Sequence, residues 1–414
     1  MRIRFARQEV GRGILRDALL RLVAALLFLS AADVAMGRNR TIHAPPAASA
    51  LPEVLDIGDI YFDCKEGSSP RCRISEFMKH ARVCALLVVK SGVVRFQSFN
   101  RDTEICRDES SDPDGRTKKY GVASVAKSIT STLLGQIITQ SYRARTRADF
   151  DRVLAQSVGD IIPSLADGIP SAYVNAPLDH VLRMRSGVRW SEYGWHGLFS
   201  GADLFGSVVR KSMAQSILTF AHRYPFRRSA TPPAFNYSAL DTAIVAATAE
   251  RLLGDRSLVS FMETEFWAAI GAEADATWGV DMTGTAIGPC CLRATVGDLA
   301  RFGLLILNQG QAPDKRQIIA RSWFDIATRR TGDDDMIPDE SPSQNSGCRL
   351  EYRYFWWLLK SRSDFTAIGR DGQFVHIYPD RDTVIVQISD WDSWSDALLC
   401  ETFLAHDALE AAAR

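Results

Sequence analysis

No net charge, no basic block and no basic-aromatic cluster mark the body of this 414-residue chain, whose 49 Lys and Arg balance 49 Asp and Glu. That excludes the electrostatic footprint by which a protein holds nucleic acid. Glycine-rich phosphate-cradling signatures are missing, as are His-Glu-x-x-His and any pair of Cys-x-x-Cys motifs. No nucleotide, zinc ion or other cofactor is therefore expected. There is also no Gly-x-Ser-x-Gly elbow, and the seven histidines are scattered, so a Ser-His-Asp triad has no visible anchor. His376 lies in a strand-like segment and is read as structural. No apolar run approaches the roughly 20 residues of a membrane-spanning helix.

The N-terminus departs from this neutral background. Arg2, Arg4, Arg7, Arg12, Arg16 and Arg21 precede the apolar run "LVAALLFLSAA", residues 22–32, and small residues follow it. Basic flank, short apolar core and a small-residue end are the marks of a secretory signal. Residues 1–37 are read as a signal peptide or, if uncleaved, an N-terminal anchor that would tether the protein to a membrane. Residues 38–60, with the Pro/Ala stretch "HAPPAASALP", form a linker, and 61–414 the functional domain. The protein is expected in the periplasm or outside the cell. All eight cysteines lie beyond residue 60, and an even count in an exported chain favours disulfides. Cys64–Cys72 and Cys84–Cys106 are the pairings proximity suggests, with buried thiols as the alternative.

Strand signals sit at both ends of the domain. "CALLVVKSGVVRFQSF", residues 84–99, reads as a hairpin turning at Lys90-Ser91-Gly92, while "FTAIGRDG", "QFVHIYP" and "TVIVQIS" read as strands near the C-terminus. Between them, about 150–285 is mostly helical, broken by Pro and Gly. An amphipathic helix follows at 295–309, and another closes the chain from about 396 to 413. The arrangement predicts one antiparallel sheet built from both ends of the domain, helices on its faces, and an inserted helical lobe.

One short motif carries chemistry. In "YGVASVAKSITSTLLGQII", Ser124 stands three residues before Lys127 where a helix opens, which places the two on one helical face. A serine hydroxyl needs a base, and a lysine serves when its surroundings disfavour the charged form. Ser124 at the helix start also offers its backbone N–H to an oxyanion. The plainer alternative is a helix-capping Ser124 and a Lys127 that reaches out to water.

The stretch resembles the nucleophile helix of the serine β-lactamase and penicillin-binding-protein superfamily. It is most similar to the class C β-lactamase-related esterases and 6-aminohexanoate-dimer hydrolases. "LDHVLRMRSGVRWSE", "FNYSALDTAIVAATAERLLG", "CCLRATVGDLARFGLLILNQGQ", "YRYFWWLL" and "GRDGQFVHIYPDRDTVIVQIS" follow in the family's order, over about residues 80–405. The resemblance implies a β-lactamase/transpeptidase-like α/β (α+β) fold. It also implies a serine hydrolase acting on a small ester or amide, with Ser124 acylated, Lys127 as base and Tyr237 as proton relay. Gly372 and the N–H of Gln373 would border the oxyanion, beside Arg370 and Asp371. Trp190, Tyr193 and Trp195 would either wall a substrate pocket or plug the junction between lobes. Two departures stand out: Tyr237-Ser238-Ala239 lacks the family's frequent Asn, and Arg370-Asp371-Gly372 replaces Lys-Thr-Gly or His-x-Gly. Both fit the esterase and amidase branch better than a β-lactamase. A cell-wall D-amino-acid carboxypeptidase or β-lactamase, and a non-catalytic exported sensor, are the competing readings. Oligomeric state is not readable from the sequence.

Overall fold

A computed structural model describes residues 39–413 apart from 47, 49, 65–70, 101–102, 104–105, 107–114, 191–215, 223–233, 255, 331–347 and 393. The expected leader and the segment holding Tyr193 and Trp195 lie outside the described residues. Among those described, no helix is long and apolar enough to cross a membrane.

Among the described residues, seven antiparallel strands make the main sheet: β1 (Val83–Lys90), β2 (Val93–Phe99), β3 (Leu350–Arg353), β4 (Trp356–Leu359), β5 (Phe365–Gly369), β6 (Gln373–Tyr378) and β7 (Thr383–Ser389). Their spatial order is β2-β1-β7-β6-β5-β4-β3. The expected first hairpin turns on two residues, Ser91 and Gly92, both at positive φ (50° and 78°), the twist-matched connection for antiparallel neighbours. The seam between the two ends of the domain is β1 against β7, with Val88 opposite Ile385.

Both faces of this sheet are covered, so its strands read as nearly continuous apolar runs rather than alternating ones. Along β7, Val384 and Val386 feed the larger core, while Ile385 between them feeds a smaller one on the other side. Four principal helices are α1 (Val125–Ser141), α2 (Ala239–Leu252), α3 (Val296–Leu307) and α4 (Asp396–Ala412). α3 lies so close to the sheet that a Cβ on its Gly303 would sit 2.4 Å from Val384. α4 contributes Leu409 and Ala405 to the opposite core.

α1 is buried on nearly all sides from Val125 to Thr139. A helix buried on all sides must find partners for its polar side chains within the protein. Thr130, Thr132 and Thr139 each bond the carbonyl four residues back. Between α1 and α2 run the short helices Arg147–Leu154, Val158–Ile161, Leu178–Leu182 and Ile217–Ala221. A second sheet, in the order 39–42, 276–279, 292–294, 120–121, ties the residues just before α1 to a segment far along the chain. Antiparallel sheets flanked by helices are the architecture the sequence implied.

The cysteines pair as Cys64–Cys72, Cys84–Cys106, Cys290–Cys291 and Cys348–Cys400. The first two are the pairs that proximity suggested.

Candidate active site

α1 opens abruptly. Ala123 adopts φ +46°, a left-handed conformation that costs a non-glycine residue energy and that the surroundings must hold. Tight bonds follow it, Val125 N–H to Val122 O (3.1 Å), Ala126 N–H to Ala123 O (3.2 Å) and Lys127 N–H to Ser124 O (3.0 Å). The turn leaves Ser124 half-buried at the helix end. Its side chain makes no capping bond, so the plain reading of Ser124 as a cap does not hold. Lys127 does not reach out to water either, since it is 1 % exposed.

Instead the two meet. Lys127 Nζ lies 2.9 Å from Ser124 Oγ and donates to the Pro289 carbonyl at 3.2 Å. The same Nζ stands 4.9 Å from the centroid of the Tyr237 ring. A hydroxyl and an amine at this distance can exchange a proton once the amine is uncharged. The three residues singled out from sequence, Ser124, Lys127 and Tyr237, therefore share one place.

Tyr237 arrives there because its backbone is strung along an earlier segment. Asn236 N–H bonds Met184 O (2.8 Å), the Asn236 amide donates to Trp190 O (3.1 Å), and Ser238 N–H points at Met184 Sδ (3.3 Å). Ser238 then caps α2 by accepting from Asp241 N–H. Asp241, fully buried, accepts from the Tyr173 hydroxyl (2.6 Å) and the Ser186 hydroxyl (2.9 Å). Burial raises its carboxyl to about 7, against those bonds, which pull it down. The polar knot thus fastens the tyrosine helix to the Met184–Ser186 segment.

The aromatic wall behind Tyr237 escaped the sequence reading. Tyr237 packs edge-on against Tyr352 (5.7 Å between centroids) and is tilted against Trp357 (5.7 Å). Phe235 meets Tyr352 at 5.4 Å. Tyr352 and Trp357 belong to the β3–β4 hairpin, whose two turn residues, Tyr354 and Phe355, both take positive φ (48° and 69°). Ser128, one position past Lys127, donates to the Phe355 carbonyl and holds that turn. The crowding of aromatics in "YRYFWWLL" was the available signal. Pro289 contributes a backbone carbonyl, and no side chain announces it.

At the β5–β6 hairpin the glycine that closes on the nucleophile turn is Gly369, where a Cβ would come within 2.6 Å of Val122 O and 3.1 Å of Ala123 Cβ. Gly372, picked out from sequence, has φ +86° and lies under Trp391, 2.5 Å from where its Cβ would be. Gln373 pairs across the hairpin with Gly369, and its amide donates to the Ser389 carbonyl (3.0 Å). Arg370 and Asp371 are paired with each other at the tip (3.2 Å). Burial raises the Asp371 carboxyl, and Arg370 opposes the rise. Trp190 is 2 % exposed and packs edge-on against Phe220 (6.3 Å), which makes it a plug between elements rather than an open wall. His376 is buried in β6 against Asp364 (2.8 Å) and His406 (3.2 Å), a structural place as expected.

The Beta-lactamase family profile matches residues 73–408. A 6-aminohexanoate-dimer hydrolase of Paenarthrobacter ureafaciens is 28 % identical over 288 residues, 67 % of each chain. Among solved structures, a protein of Bacillus anthracis named after 6-aminohexanoate-dimer hydrolase superposes with TM-score 0.69 at 20 % identity, over 90 % of both chains. A family VIII carboxylesterase gives 0.56 at 16 % identity, covering 80 % of this chain and 94 % of the other. A class C β-lactamase of Rhodobacter sphaeroides gives 0.53 at 14 %, covering 81 % and 97 %.

Proposed function

This chain belongs to the beta-lactamase family and is a serine hydrolase, and we propose that it cleaves ester or amide bonds through an acyl-enzyme on Ser124. The observation that carries the reading is the 2.9 Å contact between the Ser124 hydroxyl and a Lys127 amine shut away from water. Lys127 Nζ takes the hydroxyl proton as Oγ bonds to the substrate carbonyl carbon, and the carbonyl π electrons move onto oxygen. The Ser124 N–H and an amide of the Gly369–Gln373 hairpin face that oxyanion. On collapse, the bond to the leaving group breaks, and the proton held by Lys127 passes through Tyr237 to the departing oxygen or nitrogen. Water then attacks the acyl carbon, gives its proton back along the same route, and Ser124 Oγ is released with its hydrogen.

The walls support a reading of the substrate class. Phe235, Tyr352 and Trp357 offer apolar surface beside Tyr237, and Arg370 with Asp371 compensate each other's charge at the hairpin tip. A neutral ester or a linear amide suits this setting, and the relative from Paenarthrobacter ureafaciens is named as a hydrolase of the 6-aminohexanoate dimer. The missing Asn after Tyr237 supports this class over β-lactams. The basic-then-apolar leader and four disulfides support export, with an anchored form if the leader is retained. The test is labelling with a fluorophosphonate probe followed by peptide mapping, alongside turnover of p-nitrophenyl esters and linear amides. Label on Ser124 with activity lost in Ser124→Ala supports the reading. A fully active Ser124→Ala variant overturns it.

A further inference from the structure

The residues that grip the base come from a strap, 287–292, that runs along the opening turns of α1. Gly288 O accepts from the Thr130 hydroxyl (3.1 Å), Pro289 O from Lys127 Nζ (3.2 Å), and Leu292 O from Val122 N–H (3.0 Å). Val122 just before α1 and Lys127 and Thr130 within it, on both sides of Ser124, are thus hung on six residues. Two of those six are Cys290 and Cys291, joined to each other.

A disulfide between neighbours closes a ring of eight atoms that includes the intervening peptide, so it removes rotational freedom at one point of the chain and staples no distant parts. It needs a reason other than global stability, because the long loops whose closure stabilises a fold are absent here. The ring's surroundings point to a local reason. Cys291 takes φ +69°, a left-handed value unusual for a residue with a Cβ. The flanking carbonyls are fixed from outside: the Trp278 indole N–H donates to both Ile287 O (3.1 Å) and Cys290 O (2.9 Å), and Gly279 N–H donates to Cys291 O (2.9 Å). Cys290 is 1 % exposed. The one carbonyl of the run directed at a functional side chain is that of Pro289, immediately before the ring.

We propose that the Cys290–Cys291 disulfide is a positioning element for Lys127: it freezes the strap so that the Pro289 carbonyl takes one amine hydrogen and turns the lone pair of Nζ toward Ser124 Oγ. An uncharged amine has two or three orientations to choose from, and a fixed acceptor on one N–H removes most of them. Without the ring the strap keeps only its outside bonds, the Cys290 N–H to Ile287 O contact (3.2 Å) among them; Cys291 is free to leave its left-handed conformation, the Pro289 carbonyl gains play, and the base loses its aim while the fold persists. The inference rests on Lys127 acting as the base of Ser124.

The experiment compares wild-type protein with Cys290→Ala/Cys291→Ala, using a fluorophosphonate probe to follow both the rate and the final stoichiometry of labelling. The expected result is a labelling rate about tenfold or more lower, with full stoichiometry and an unchanged KM for the best ester found. Full stoichiometry separates misaimed base from misfolded protein, which would lower the labelled fraction instead. An unchanged rate overturns the proposal. So does alkylation of both cysteines by iodoacetamide in unreduced, denatured wild-type protein, because the ring would then not exist. Lys127→Ala is run beside them: if it labels as fast as wild type, the reading of Lys127 as base has failed, and the disulfide has nothing to position.

Discussion

The hydroxyl of Ser128 donates a 2.6 Å hydrogen bond to the carbonyl of Phe355, joining the helix of the candidate nucleophile to the turn of the β3–β4 hairpin. Both groups are buried, and that turn is held in a conformation its two aromatic residues do not favour. Ser128→Ala leaves the Phe355 carbonyl without this donor, at a cost of about 1–3 kcal/mol. A lowered Tm in thermal unfolding is expected. Because Tyr352 and Trp357 ride on the same hairpin, KM should rise more than kcat falls. A variant with wild-type Tm and KM would show that the bond holds nothing.

Removing the amine should be far more damaging than removing a neighbour. Lys127→Ala is expected to lower kcat by about 10³-fold or more while leaving far-ultraviolet circular dichroism unchanged. Tyr237→Phe keeps the ring that packs on Tyr352 and Trp357 and removes only the hydroxyl, so it isolates the proton relay. A drop of about 10²-fold in kcat with KM preserved is expected. Equal activity of Tyr237→Phe and wild type on esters and amides would assign Tyr237 to packing alone.

Asp241 makes stability depend on pH in a direction that can be worked out. Its carboxyl is raised from 3.8 to about 7 in the folded protein, so the folded state holds its proton more tightly than the unfolded chain. The stabilisation is complete below about pH 4 and is lost as pH rises through 7, at about 1.4 kcal/mol per unit over that span. His406 acts at the acid end. Burial holds its imidazole well below 6.5, so stability it supports is present above pH 6.5 and falls away as pH drops. Asp241→Asn mimics the protonated acid. It should flatten the decline in Tm between pH 5 and 8, and a slope equal to wild type in that window would remove Asp241 from the account.

Two glycines of one hairpin should fail for different reasons. Gly369→Ala drives a Cβ to within 2.6 Å of the Val122 carbonyl, backbone that cannot yield without moving the Ser124 turn. Activity is expected to collapse with a modest change in Tm. Gly372→Ala meets the Trp391 ring and also strains a backbone at φ +86°, so the loss there is mainly stability, by about 1–3 kcal/mol. Differential scanning calorimetry with kinetic assay separates the two, and equal behaviour would contradict the placement.

Much of this was legible beforehand for physical reasons. β1, β2, β6 and β7 are apolar runs of strand length bounded by turn residues, and α1 has its apolar residues at helical spacing. Ser124 and Lys127 could be named because their chemistry depends on two side chains at a fixed offset where a helix opens, and Tyr237 because the family resemblance carries its role over. What was missed depends on backbone or on distant packing. Pro289 acts through a carbonyl, which any residue could supply. Gly369 and Gly372 are indistinguishable until the hairpin's partners are known, and the aromatic wall needs two hairpin strands brought against α2. The pairing of Cys290 with Cys291 is not implied by spacing, since neighbours in sequence rarely join.

The seam between β1 and β7 carries a consequence for how the chain is made. Val83–Lys90 pairs at once with Val93–Phe99 but finds its other neighbour only in Thr383–Ser389, so the first hairpin must wait, one edge bare, until nearly all of the polypeptide has emerged. Such late closure slows folding and exposes an adhesive strand in the interval. A chain cut short before β7 would keep its nucleophile and base yet have its main sheet parted into two pieces, and the last thirty or so residues thereby decide whether the two are held together.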